Sequence, residues 1–367
     1  MLDKNGAGTD SAVIAAIQQA IKLKSKYNIR VVNLSLGRPV MESYKTDPLC
    51  QAVESAWKAG IVVVVAAGND GRNNAFGTSG YAMIASPGND PYVITVGATR
   101  TNFTASRADD LITSYSSKGP TAIDHLVKPD LVAPGNRLAS LKANFDWFST
   151  QYSANVIPLS DYVYAGWNVS SQYYYKLSGT SMATAVVSGA AALLLGKDAT
   201  LTPDTVKGRL MLSAGKAFPT SSTATDPVTG QTFTSQYDIF TIGAGYLDVA
   251  AALKNTAVAG KPALSPAVSY SAKTHLVQLV GDSSALWGSS ALWGSSALWG
   301  SNVFVNGTSA LWGSSALWGS SATQGFSALW GSSALWGSST SSATSAPAAA
   351  TSAISPEAVN IAIYGDK

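Results

Sequence analysis

Hydrophobic positions over residues 1–254 alternate between helical spacing and short continuous runs. Apolar residues recur every three to four positions after Asp10 and again after Asp47-Pro48, which predicts two amphipathic helices. Val31–Leu36, Ile61–Ala66 and Tyr92–Val96 are short apolar runs, as expected for strands of a parallel sheet that is covered on both faces. Strand, helix and strand in repetition predict an α/β fold, with an open and mostly parallel sheet and helices on both faces.

A longer apolar helix is predicted within Leu177–Leu195, where a Ser-Gly-Thr-Ser turn runs into small and aliphatic residues. Apolar positions lie on nearly every side of this helix, which is typical of a helix inside a large fold. Ser181 would lie at its start, where backbone N–H groups and the helix dipole favour an anion beside the hydroxyl. The plainer interpretation is that Thr180 or Ser181 only caps the helix. Helices are also predicted after Thr202-Pro203 and up to Lys254.

Beyond residue 254 the pattern changes. Residues 255–281 are predicted to form a linker with one strand at Thr274–Val280. Residues 282–337 repeat the hexapeptide Ser-Ser-Ala-Leu-Trp-Gly, and Ala-Leu-Trp-Gly occurs seven times there. This period fits either a solenoid of stacked rungs or a flexible tail, and it identifies no partner. Residues 338–367 are rich in Ser, Thr, Ala and Pro, and Val359–Tyr364 alternates weakly, so it is predicted to pair with a sheet edge.

Composition narrows the class of protein. Charged residues make up 12% of the chain and the formal net charge is +3, without a basic run, so nucleic acid is not an expected partner. Cys50 is the single cysteine, which excludes an internal disulfide and predicts a small buried apolar residue. No stretch is expected to span a bilayer, and the first residues do not have the pattern of a signal peptide.

Two motifs point to acyl-transfer chemistry. Gly179-Thr180-Ser181-Met182-Ala183-Thr184 resembles the nucleophile signature of the subtilisin-like serine proteases. Ala66–Asp70 follows a predicted strand and resembles the family segment whose asparagine amide donates into the oxyanion hole. The resemblance therefore implies Ser181 as the nucleophile and Asn69 as the oxyanion donor. By itself, Asn69 is equally well explained as a turn residue after a strand.

The same resemblance implies a substrate groove. Asn33–Gly37 is similar to the strand end along which the family binds substrate backbone as an added strand. Ser35, Leu36 and Gly37 would form one wall of the primary pocket, and Ala67 with Gly68 the other. Such small residues predict room for a large apolar or aromatic side chain. Two further segments look like family landmarks: these are Tyr115–Pro120 and Lys128–Gly135.

Departures from the family pattern are equally informative. The catalytic Asp and His of the family both precede the strand that resembles Val31–Leu36, and this sequence contains neither. His125 and His275 lack the motif context of a catalytic base and are predicted to be solvated surface residues. Leu138–Lys176 looks like an insertion. A serine protease without its histidine keeps only about 10³–10⁴ over uncatalysed hydrolysis, so the chain alone is expected to be nearly inert.

Three hypotheses stay open. In the first, the chain is a subtilisin-like endopeptidase whose fold is incomplete at the N-terminus, because the Asp and His are encoded upstream of Met1. In the second, it is a non-catalytic remnant that binds peptides or surfaces through the groove and the Trp repeats. In the third, it regains activity by associating with a separate N-terminal fragment that carries Asp and His. The resemblance also implies an extracellular location and allows calcium binding, although no ligand spacing is recognisable.

Overall fold

The computed structural model describes residues 8–74, 78–143, 147–163, 170–271, 276–280 and 356–366. The helices are α1 (Asp10–Tyr27), α2 (Pro48–Lys58), α3 (Trp147–Gln151), α4 (Thr180–Lys197), α5 (Pro203–Leu212), α6 (Ile239–Ile242), α7 (Val249–Lys254) and α8 (Pro356–Tyr364). The strands are β1 (Val31–Leu34), β2 (Val62–Ala66), β3 (Ile94–Arg100), β4 (Leu111–Ile112), β5 (Leu131–Pro134), β6 (Leu138–Leu141), β7 (Val156–Pro158), β8 (Ser170–Leu177), β9 (Ser221–Thr225), β10 (Thr232–Gln236), β11 (Ala267–Ser271) and β12 (Leu276–Val280).

The central sheet has the order β1-β2-β3-β5, and all of these strands are parallel. Strand β4 adds to it antiparallel to β3, through the pair Thr99 and Ile112. All five residues of β2 are buried. Since successive side chains of a strand point to opposite faces, both faces of the sheet are covered. The predicted α/β class, an open and mostly parallel sheet with helices on both faces, is confirmed.

Helix α4 lies across β1, β2, β3 and β5. Its buried residues include Ala183, Val187, Ala190 and Leu194, which join the main hydrophobic core. The helix is also long and apolar enough to cross a membrane, with a mean hydropathy of 1.3, so the prediction that no stretch meets this criterion is wrong. Half of that window is buried inside the fold, as in the core helix of a globular domain.

Side-chain caps begin several helices where the sequence predicts them. Thr9 accepts a hydrogen bond from Ala12 N, Asp47 one from Leu49 N, and Thr202 one from Thr205 N. Pro48 and Pro203 follow two of these caps at the first helical position, where a missing N–H is tolerated. These local signals therefore fix the ends of the helices that surround the sheet.

The segment predicted as an insertion, Leu138–Lys176, contributes strands to a small antiparallel sheet of order β6-β8-β7. The predicted linker, residues 255–281, also carries regular structure: β11 pairs antiparallel with β12. Val127 N donates to Pro266 O at 2.8 Å and Ser265 N to Pro91 O at 3.0 Å, so this segment is hydrogen-bonded to the loops that precede β3 and β5. The predicted strand at Thr274–Val280 overlaps β12, Leu276–Val280.

The C-terminal residues differ most from expectation. Val359–Tyr364 does not pair with a sheet edge but lies within α8. Ile361, Ala362 and Ile363 are all buried, and such consecutive burial suits a helix inserted between other elements better than an edge strand. The hexapeptide repeats at 282–337 and the first part of the tail lie outside the described residues.

Candidate active site

Three elements meet at the carboxyl edge of the sheet. Strand β1 ends before Ser35, β2 ends before Ala67, and α4 begins at Thr180 with Ser181 as its second residue. Gly179 precedes the helix with φ of 141°, a conformation that favours glycine. Its N–H donates to Gly135 O at 2.7 Å, which fixes the turn that delivers Ser181. Ligands commonly bind at this edge of open α/β sheets.

Asn69 is held by the residue that precedes the candidate nucleophile. Its Oδ1 accepts hydrogen bonds from Thr180 N and from Thr180 Oγ1, both at 2.9 Å. Because Oδ1 faces these donors, the Nδ2 amide points to the other side as a donor. Asn69 has 6% exposure and Ser181 7%, so both side chains are largely buried. The sequence-predicted pair is therefore adjacent in space.

Ser181 is also tied to the end of β1. Its Oγ donates to Ser35 O over a long 3.5 Å, and Ser35 Oγ donates to Ser181 O at 2.9 Å. These reciprocal contacts fix the start of α4 against the strand end. Ser35, a predicted wall residue, and Ser181, the predicted nucleophile, are thus hydrogen-bonded to each other.

A narrow cleft opens beside Ser181. The predicted wall residues that line it are Ser35, Leu36, Gly37 and Gly68, together with Ala66 and Ala85. Ala67 is fully buried behind the cleft, where its N–H donates to Val96 O and its carbonyl accepts from Ala85 N.

Ala85 was missed by the sequence analysis. A Cβ built on Gly37 would lie 2.8 Å from Ala85 Cβ, so Ala85 occupies space that the small wall residues leave. The cleft is consequently tighter than the predicted pocket for a large side chain. Residues 38 and 86 exchange backbone hydrogen bonds and bring Ala85 there, a pairing that local sequence does not signal.

The two landmark segments brace the Asn69 loop and the Ser181 turn. Ser117 N donates to Gly68 O at 3.0 Å, and Ser117 Oγ accepts from Asp70 N at 3.0 Å. Tyr115 OH donates to Gly135 O at 3.1 Å, on the same carbonyl that receives Gly179 N. Both motifs therefore hold backbone around the candidate site rather than supplying reactive groups.

This geometry agrees with comparisons of the whole sequence. Residues 1–243 match the profile described as the Subtilase family. The chain belongs to the subtilase family. It is 40% identical over 212 residues to serine protease AprX of Bacillus subtilis (strain 168), and 34% identical over 214 residues to subtilisin DY of Bacillus licheniformis. These matches cover 56% and 58% of this chain, and 43% and 58% of the relatives, so the chain spans about half the length of the curated relatives it matches.

Solved structures match this chain at lower sequence identity than the curated relatives do. The prenylagaramide maturation protease PagA has 22% identity and a TM-score of 0.44, with 69% of this chain and 70% of that chain covered. A cold-adapted subtilisin-like serine proteinase has 25% identity and a TM-score of 0.39, with 64% of this chain and 63% of that chain covered.

The electrostatics beside Asn69 in this subtilase are unusual. Burial, together with the charge of Glu357, raises the pKa of Asp70 to about 7. Its Oδ2 is buried and has no hydrogen-bond partner in the described part of the chain. Arg72, two residues on, is paired with Asp226, Glu357 and Asp366 and is not positioned to neutralise Asp70 through an ion pair.

His125 does not supply a base to the cleft. His125 has its N–H bonded to Thr121 O and its carbonyl to Val268 N, and it is not among the residues that line the cleft. It is half-buried rather than solvated, and burial lowers its pKa. His275 lies outside the described residues.

The described part of the chain shows no cluster of His, Cys, Asp or Glu side chains for the calcium that the resemblance allows. Over the described ranges, no group of three His, Cys, Asp or Glu side chains is placed to hold a metal ion. No step of the chemistry is therefore assigned to a metal ion.

Proposed function

We propose that the chain carries the nucleophile and the oxyanion-binding part of a serine endopeptidase site, with proteins or peptides as substrates. Ser181 Oγ attacks the carbonyl carbon of a peptide bond, and Asn69 Nδ2 donates to the carbonyl oxygen as it becomes negative. The observation that carries this proposal is the pair of hydrogen bonds from Thr180 to Asn69 Oδ1, which holds Asn69 against the start of α4 and leaves Nδ2 as the donor for a substrate.

The cleft supports a role in binding the substrate. Ser35–Gly37 continues β1, so an extended peptide can pair with backbone along this strand end, and Gly68 lines the opposite side of the cleft. The side chain before the scissile bond enters between the two walls. Because Ala85 narrows this space, we expect small side chains to be preferred there.

The general base has to come from a segment outside the described residues. We propose an N-terminal segment that carries the family's Asp and His, in the same polypeptide or as a separate fragment. Two surfaces support its docking. Strand β1 is paired only with β2 among the described strands, and α4 exposes Leu193, at 57%, beside small residues near Ala185 and Gly189. Exposed apolar surface of this kind marks interaction sites.

Chemical labelling tests the site. The purified chain is exposed to a fluorophosphonate, which forms a covalent bond to an activated serine, and the modified residue is located by mass spectrometry. We expect slow labelling confined to Ser181, lost in Ser181→Ala and retained in Ser188→Ala, a serine on the same helix. Rapid stoichiometric labelling would show that a base is already present. Absence of labelling after long exposure favours the alternative, a peptide-binding remnant.

Hydrolysis of casein tests the missing base independently. We expect the chain alone to show almost none, so Ser181→Ala changes nothing measurable. Activity that this substitution abolishes would overturn the proposal. Translation of the DNA upstream of Met1 then identifies the source of the base: in-frame Asp and His motifs support a single polypeptide, and a stop codon directly upstream refutes it. An extracellular location is proposed on the resemblance to secreted subtilisins alone.

A further inference from the structure

The C-terminal segment Pro356–Asp366 is folded into the subtilase domain, although the repeats separate it from the rest of the chain. Ile361 has 2% exposure and belongs to the main hydrophobic core. Ala362 and Ile363 form a second cluster with Tyr175 of β8, the strand that leads to the serine turn. The segment is therefore part of the packed interior of the domain.

Backbone of this segment is bonded to the approach to Ser181. Ser178 N, three residues before the nucleophile, donates to Ala362 O at 2.9 Å. Asn155 Nδ2 donates to Ile363 O at 2.6 Å and also to Lys176 O at 3.0 Å, so one side chain joins the segment to β8. The end of β8 is thus connected to Pro356–Asp366 through Ser178 directly and through Asn155 as a bridge.

Asp366 makes the densest set of contacts. Its N–H donates to Asn136 Oδ1 at 2.9 Å, and its carbonyl accepts from Asn136 Nδ2 at 3.1 Å. Its carboxylate, fully buried, accepts from Ser114 N at 2.5 Å, from Ser114 Oγ at 2.7 Å and from Arg72 at 2.9 Å. Arg72 lies in the loop that begins at Asn69, so this carboxylate connects the terminus to the oxyanion loop.

The preceding residue has to be a glycine. Gly365 has φ of 63°, and a Cβ there would lie 2.1 Å from Asn136 Oδ1 and 2.6 Å from Ser178 Oγ. A side chain would therefore push the terminus away from the serine turn. The docked position of the segment therefore requires glycine at residue 365.

We infer that Pro356–Asp366 is a clasp for the serine site, with Asp366 as the positioning residue. It joins the loop after Asn69 to the segment before Ser181. Release of the clasp loosens both halves of the site at once. The positioning role rests on the proposed function, whereas the docking itself does not.

Hydrogen exchange of the full chain tests the clasp without relying on catalysis. Asp366→Asn keeps the size and backbone of the residue but removes the carboxylate. We expect amide exchange in residues 66–74 and 174–182 to accelerate about tenfold or more, and exchange in α1 to change less than about twofold, because only the local opening becomes easier. Glu357→Gln is the matched control, since Glu357 binds the same Arg72 from a half-exposed position, and we expect it to change neither region more than about twofold.

A uniform acceleration across the domain, or none near Asn69 and Ser178, would overturn the inference. Ser265→Ala removes the hydroxyl that bonds to Asp130 at the opposite edge of the sheet, and it shows how a loss of global stability alone changes the exchange.

The positioning role is tested by comparing the Kd of N-acetyl-trialanine aldehyde with the Kd of its matching alcohol. The aldehyde's advantage is the ratio of the alcohol's Kd to the aldehyde's Kd. Asp366→Asn should reduce this ratio about tenfold and leave the Kd of the alcohol within about twofold of its original value. An unchanged advantage would overturn the positioning role. If the aldehyde has no advantage in the unaltered chain, the proposed function fails, and the clasp is still judged by exchange.

Discussion

The two edges of the central sheet handle buried polar groups in opposite ways. At the amino edge, Asp130 lies 2.7 Å from Lys128 Nζ and 3.2 Å from Lys207 Nζ, and all three side chains are fully buried. Ser265 Oγ and Thr95 N also donate to its carboxylate, at 2.6 and 2.7 Å. At the carboxyl edge, polar groups face a cleft, and Asp70 keeps a buried oxygen without a partner in the described part of the chain.

This difference separates a buried charge cluster that stabilises the fold from polar groups that are available to a substrate. Burial alone would raise the pKa of Asp130, yet the charges of Lys128 and Lys207 hold it below its ordinary value. The pKa of Asp70 rises to about 7 through burial and the nearby Glu357. A buried cluster in which every polar group has a partner favours one rigid arrangement. Hydrogen-bond donors that are kept for a substrate lack such partners, so other elements have to hold them in place. The clasp and the landmark segments do this at the carboxyl edge.

The largest expected effect comes from breaking the amino-edge cluster. Asp130→Asn leaves Lys128 and Lys207 buried without a counter-charge, and removal of one partner from a buried pair costs about 3–5 kcal/mol. We expect the free energy of unfolding, measured with urea at pH 6, to fall by that amount. The loss should be smaller at pH 9, because burial lowers the pKa of Lys207 to about 7 and its charge is then gone.

Ser265→Ala is the control for that cluster, because it removes one hydroxyl and leaves all three charges. A loss of about 1.5–3 kcal/mol is expected, because this hydroxyl bonds to two charged groups, Asp130 and Lys207. If Asp130→Asn costs no more than Ser265→Ala, the cluster is not the source of stability at this edge.

A smaller effect, of opposite sign, is expected at Asp70. Its folded-state pKa, about 7, lies above the ordinary 3.8, so the folded state holds a proton that the unfolded state has lost between these pH values. Stability contributed by this group therefore falls as pH rises from 4 to 7. Asp70→Asn removes the cost of the buried charge, and we expect a gain of about 1–2 kcal/mol at pH 8, after allowance for partial exposure, that fades towards pH 4.

Urea unfolding at the two pH values measures this gain. The exposed Asp161→Asn is the comparison and should give no difference at either pH. A loss of stability in Asp70→Asn at pH 8 would show that the Asp70 carboxylate is stabilised in the folded state, contrary to the contrast between the two edges.

Sequence reasoning recovered what is encoded locally. The continuous apolar run before Ala67 predicts β2, and Asp47 and Thr202 predict helix starts through side-chain caps. The serine and asparagine motifs also meet as the family resemblance implies, through Thr180. These features depend on neighbouring residues or on motifs of known geometry.

Contacts between distant segments were not predictable in this way. Lys128, Lys207 and Ser265 meet around Asp130 only after folding, and Ser265 lies in a stretch whose prolines predict a linker. Helix α8 has nine residues and its weak alternation suggested a strand, because burial on several sides replaces the spacing of an amphipathic helix. Ala85 enters the cleft through a backbone pairing that leaves no pattern in the sequence.

The smallest expected effect concerns the Thr180 hydroxyl, which separates local stability from site geometry. Thr180→Val removes the Oγ1 donor to Asn69 Oδ1 and to Gly68 O, whereas Thr180→Ser keeps it. Asn69 retains the bond from Thr180 N in both variants. We expect Thr180→Val to lose about 1 kcal/mol of unfolding free energy and Thr180→Ser less than half of that, since a single neutral hydrogen bond is at stake. Urea unfolding gives the stability, and amide exchange of residues 66–72 gives the order of the loop. Equal exchange in the two variants would show that the backbone bond alone holds Asn69, and the hydroxyl would then have no part in orienting its amide.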